Sequence, residues 1–226
     1  MYPLPNPSPY LEVSFLVLPP AVGATCVWAI ALTSGREAAI RAAMILALWM
    51  ASTATLALTG VLGHWQPPRM LGIFASILLF LGWAARQPWT ERLGNLPVAW
   101  LIGFQSFRII VEWLLHVAVE EGIANPAMTW TGTNYDLVAG VSALLLAPFA
   151  HRLSPRTLQT WNVSMAAVLV ITVVSANLSA PPPFRQIGGD PPNTFISLFP
   201  FVWLPAVLVT SAWLGHLVLF RRLRRG

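Results

Sequence analysis

Residues 104–122 read FQSFRIIVEWLLHVAVEEG, and four of them carry groups able to do chemistry: Gln105, Arg108, Glu112 and His116. At 100° per residue they fall within an arc of about 80°, so a helix through this stretch presents them as one stripe. Arg108 and Glu112 stand four apart, the spacing at which a guanidinium and a carboxylate close an ion pair within one helix. An arginine can hold an anion, and a carboxylate or an imidazole can carry a proton. Asn134 and Asp136, at the start of the next apolar stretch, add two more polar groups on the His116 side.

The surroundings of the stripe decide what it means. The chain has 226 residues, 56% hydrophobic and 9% charged, with a mean hydropathy of +0.67. Soluble domains carry roughly a quarter of their residues as Asp, Glu, Lys or Arg. This composition belongs to the membrane class. An arginine at the centre of a membrane helix costs about 2.5–3.5 kcal/mol, so such a residue must face the bundle interior or water. Intramembrane ionisable residues are therefore a functional-site hypothesis by default.

A span needs about 20 mostly apolar residues. Seven stretches qualify as a single transmembrane domain over 1–226: Leu11–Thr33, Ile40–Leu62, Met70–Ala85, Leu96–Val119, Asn134–Leu153, Thr157–Leu178 and Thr194–Phe220. The fold class expected is an all-α bundle of seven helices. Its first run lacks a basic leader and a small-residue cleavage site, so it reads as a retained helix. With the N-terminus outside, Arg36, Arg41, Arg86, Arg92, Arg152, Arg156, Arg221, Arg222, Arg224 and Arg225 all fall inside. Only Arg69 and Arg185 fall outside. That asymmetry is the positive-inside pattern and implies a cytoplasmic C-terminus. Arg108 then lies about 18 Å along the fourth span, near the midplane, with His116 towards the outer surface.

Both long loops, 120–133 and 179–193, lie outside in this arrangement. The second is rich in proline and cannot be helical through its length. Thr133, three residues before Asp136, has the spacing of a helix N-cap with an acid in the capping-box position. Pro19, Pro20, Pro148, Pro200 and Pro205 fall inside spans, where each frees a carbonyl and reads as a packing kink. Ala51, Thr55 and Thr59 stand four apart and suggest a small-residue face for close helix contact.

Other chemistries find little support. All basic residues are arginine, which excludes a lysine Schiff base. Cys26 is alone and reads as a small core residue. Glu112, His116 and Glu120 could present three ligands on one face, but Arg108 beside them argues against a metal. His64 and His116 near one surface, and His151 and His216 near the other, have no spacing that supports haem and read as capping or interfacial residues. Neither a serine elbow, a glycine-rich phosphate loop nor a nucleic-acid signature is present, and no cofactor is implied.

Three blocks, GFQSFRIIVEWLL, MTWTGTNYDLVAG and PPPFRQIGGDPPNTFISLFPFVWLP, resemble those of a family of uncharacterised bacterial seven-helix integral membrane proteins. The resemblance covers Leu101 to the end. It implies a bacterial plasma (inner) membrane location and points to Gln105, Arg108, Glu112, Asn134, Asp136 and Asn193, without supplying a reaction.

The reading that follows is a multi-pass protein with a polar pocket open to the outside, floored by Arg108 and Glu112 and rimmed by His116 and Asp136. Its expected role is to bind or move a small polar or anionic solute, with Glu112 and His116 carrying protons and Asn134 shaping the entrance. The partners implied are the lipid bilayer and that solute. One alternative is an intramembrane enzyme acting on a lipid-linked substrate, with Arg108 on a headgroup phosphate. Another is a non-catalytic subunit that binds a membrane-protein partner.

Overall fold

The computed structural model describes residues 4–63 and 69–225; His64 lies outside them. Among the described residues every regular element is helical. In chain order these are α1 (Pro9–Ser34), α2 (Arg36–Leu58), α3 (Arg69–Ala85), α4 (Pro88–Leu93), α5 (Val98–Glu120), α6 (Asp136–Leu146), α7 (Pro155–Leu178) and α8 (Leu204–Arg225). Five of them, α1, α2, α5, α7 and α8, are long and apolar enough to cross a membrane. The apolar run of α3, Phe74–Ala85, is shorter.

Local sequence sets the boundaries. Ser8 caps α1 by accepting from the Leu11 amide at 3.2 Å, and Pro9 follows where a missing N–H costs nothing. Ser154 and Pro155 repeat the device at α7, with the Thr157 amide 3.1 Å from the Ser154 hydroxyl. Gly35 separates α1 from α2 at φ 83°, a left-handed conformation that glycine adopts without a Cβ clash.

Two expected spans take another form. The fifth is α-helical for 11 residues only and continues as a 3-10 turn over Ala147–Arg152. Pro148 is the second residue of that turn, past the end of α6, so it breaks no interior bond of that helix. The seventh starts at Leu204; Thr194–Trp203 runs irregularly, with a 3-10 turn at Phe195–Ser197. Pro205 sits in a π-helical first segment of α8 (Leu204–Val209). Two indoles satisfy carbonyls along the adjoining crossing: Trp49 Nε1 donates to Ala206 O at 2.9 Å and Trp203 Nε1 to Met50 O at 3.1 Å. The expected small-residue face of α2 is also corrected. Ala51, Thr55 and Thr59 point outward, and both threonine hydroxyls donate to carbonyls of their own helix. Met50, Thr53 and Ala57 face inward instead.

The bundle is inverted relative to a soluble protein. Large apolar side chains such as Leu48, Leu58 and Leu79 are exposed, whereas Gln105, Arg108, Glu112, Asn162, Thr210 and His216 are buried. Such a surface suits hydrocarbon and such an interior gathers polar groups away from it. The main apolar core joins α1 and α5 to the segment preceding α8. Phe201 meets Phe15 edge-on at 5.1 Å and Phe195 at 5.5 Å. The two long loops are stitched to each other: Asn125 Nδ2 donates to Gly189 O at 2.8 Å and Pro191 O at 3.0 Å. Glu121 accepts from the amide of Ser8 at 2.9 Å, tying the start of α1 to the end of α5.

Candidate functional site

The polar stripe lies on α5, and the structure gives Arg108 different partners from those its spacing suggests. Its guanidinium meets Asp136 in a bidentate ion pair: Nε donates to Oδ2 at 3.0 Å and Nη2 to Oδ1. Among the described residues Glu112 forms no ion pair, so the expected Arg108–Glu112 pair is replaced by Arg108–Asp136. The reason is a close helix crossing. On Gly140, one turn after Asp136, a Cβ would stand 2.8 Å from the Ile109 amide nitrogen. Only a glycine lets α6 press this near α5 and bring the carboxylate of its first turn to the guanidinium. The start of a helix also favours a negative charge.

Arg108 Nη1 reaches His216 Nε2 on α8 at 3.1 Å. A guanidinium cannot accept a hydrogen bond, so Nε2 accepts and the ring proton resides on Nδ1. Nδ1 then donates to Asn162 Oδ1 at 2.8 Å, and Asn162 Nδ2 donates to the His216 carbonyl at 3.0 Å. His216 is therefore an interior member of the network and not the interfacial residue its position suggests. Arg108 is 2% exposed and has charged or polar partners on three of its edges.

Glu112 is fully buried. Its Oε1 accepts from Asn134 Nδ2, while Oε2 has no partner. Asn134 is held in one orientation: its Nδ2 also donates to Met128 O at 2.9 Å, and its Oδ1 accepts from the Asp136 amide at 3.0 Å. Asn134 thus does at the start of α6 what the spacing assigned to Thr133, whose hydroxyl donates to Ala127 O at 3.3 Å. The Thr172 hydroxyl on α7 stands 2.7 Å from Asn134 Oδ1 and 2.9 Å from Asp136 Oδ1, sharing one proton between them.

Glu112, Asn134, Asp136 and Thr172 form the polar end of a cavity of about 260 Å³ between α3, α5, α7 and α8. The remainder of its wall is largely apolar, including Phe74, Phe107, Leu169 and Leu208. Leu78 in that wall is 66% exposed, so the cavity reaches the flank of the bundle at mid-height of α3. This differs from the expected polar pocket open at the outer end. Arg108 stands behind Asp136 and does not line the cavity. His116 is elsewhere, stacked on Trp130 at 4.4 Å. Gln105 is a packing residue: its Nε2 donates to Ala212 O at 3.1 Å, where α8 approaches closely at Gly215.

The structure therefore joins Arg108, Glu112, Asn134 and Asp136 and leaves Gln105 and His116 apart. His216, Asn162 and Thr172 are the residues that sequence reasoning missed. A histidine and an asparagine within otherwise apolar helices were the available signal.

Fold and site together define the class, a helical multi-pass membrane-embedded protein with a buried charged network beside an apolar cavity. None of the family models, curated proteins or solved structures with which the chain was compared matches it.

Proposed function

We propose that this chain is a seven-span membrane protein, N-terminus outside and C-terminus cytoplasmic, that binds and moves a small solute through the cavity at Glu112. The distribution of arginine supports the topology. The resemblance from Leu101 onward supports a bacterial plasma membrane. The observation that carries the binding reading is Glu112 itself: a fully buried carboxyl that forms no ion pair among the described residues, one oxygen lacking a partner, in the wall of a cavity. Burying such a group is costly unless something compensates it, and a solute donating to Oε2 would. Asn134 and Thr172 hold the surrounding acceptors in place, and Arg108 fixes Asp136. An anionic solute is disfavoured, because Arg108 is already engaged by Asp136. The test is uptake by proteoliposomes from a panel of small solutes, at several pH values. A solute whose uptake Glu112→Gln abolishes supports the reading; a panel whose uptake is indifferent to Glu112→Gln sinks it.

A further inference from the structure

Resting on that reading, we infer that the ligand is an amphiphilic monocation, an ammonium head donating to Glu112 with an apolar body lying along α3 and α7. The charges at the polar end set the sign. Arg108 and Asp136 neutralise each other, and the Nε2 of His216 is occupied by Arg108, leaving the Glu112 carboxyl as the one group there without a counterpart. The charged groups that act on it are Asp136 and Arg108, opposite in sign and paired with each other; α7 contributes the uncharged Thr172, and α1 packs its apolar Leu11 and Phe15 in the same core as Val111 and Leu115. The cavity lining from α3 is Phe74, Ile77, Leu78 and Leu81, all apolar.

Shape fixes the body. A cavity of about 260 Å³ falls just below the range of drug-sized ligand sites, about 300–1,000 Å³, and suits a slender ligand. Its open edge lies beside the exposed Leu78, at a level where a membrane presents hydrocarbon, so the ligand arrives from the lipid phase tail-compatible and head-first. The fully buried acceptor Glu112 Oε2 receives its N–H. A buried carboxylate needs one positive companion, which is either a proton or the cation, so the two exclude each other. Binding then weakens on acidification, by at most about tenfold per pH unit for a single exchanging proton.

The experiment uses the full chain in phosphatidylcholine nanodiscs and tritiated octylammonium, read by scintillation proximity. Saturable binding is expected. Unlabelled octylammonium should compete, whereas octanoate, which carries the opposite charge, and propylammonium, which lacks the body, should not. Glu112→Gln should weaken binding at least about tenfold, the loss of one charge-assisted hydrogen bond. Ala176→Phe, which adds a ring to the cavity wall and leaves the Glu112 side chain unchanged, should abolish it and serves if the first variant does not fold. Competition by octanoate equal to that by octylammonium overturns the inference, as does binding unchanged in both variants or indifferent to pH. Absence of octylammonium binding, with solute uptake still dependent on Glu112, overturns this ligand class and leaves the proposed function standing. Absence of both overturns both.

Discussion

Asp136→Asn should unfold this protein far more readily than Glu112→Gln, although both remove one buried carboxylate. Asp136 accepts two of the hydrogen bonds of Arg108 and neutralises its charge at a site where the arginine is 2% exposed. An asparagine there offers one acceptor oxygen and no charge, and its amide group would face a guanidinium that can only donate. Removing one partner of a buried pair costs about 3–5 kcal/mol. For a domain of this size each kcal/mol moves the melting temperature by about 2–4 °C, so the loss should be about 6–20 °C. Glu112→Gln leaves the ion pair intact and keeps an oxygen for Asn134 Nδ2, so its cost should stay within about 1 kcal/mol, or about 4 °C. The assay is thermal unfolding of wild type and both variants in one detergent at neutral pH, followed by tryptophan fluorescence. Equal losses, or a larger loss for Glu112→Gln, would show that Arg108 relies on Glu112 and would refute the pairing described above.

Gly140→Ala should destabilise by about 1–3 kcal/mol through overpacking, because its new methyl group meets backbone atoms of Ile109 and Arg108; the same unfolding assay reads it. Ser8→Ala removes the cap of α1 and the hydroxyl bond to Glu121, and should cost about 1 kcal/mol. Trp49→Phe leaves Ala206 O without its indole donor and should cost about 1 kcal/mol while preserving most of the stacking on Phe80. In a Cys26→Ser background, Gly188→Cys on intact cells should react with an impermeant maleimide and Asn95→Cys should react only after lysis; the reverse pattern would invert the proposed topology.

Helical class and most of the apolar stretches were legible because hydropathy integrates over about 20 residues and tolerates local error. Boundaries were less so where the chain leaves the α-helix without leaving the interior, as at Ala147–Arg152 and Thr194–Trp203. The polar stripe was legible as a set of positions, and Arg108, Glu112, Asn134 and Asp136 do gather. Its pairing was not. Spacing of four residues places Glu112 within reach of Arg108, yet an arginine side chain is long enough to choose the neighbouring helix, and Gly140 brings that helix in. A glycine one turn from an aspartate marked the face of α6 that meets α5, but which helix it would meet is a tertiary fact. His216 was misplaced because depth along a helix says nothing about which way the side chain points.

The network around Arg108 also has an order in time. Its partners lie 28 and 108 residues further along the chain. At a synthesis rate of about 5–20 residues per second, the aspartate emerges within seconds of the arginine and the histidine many seconds after it. The α5–α6 hairpin can therefore leave the ribosome with its charge already matched, while one guanidinium edge stays unfilled until the last helix arrives. A nascent chain stalled before α8 would expose that edge to whatever machinery inspects unfinished membrane proteins.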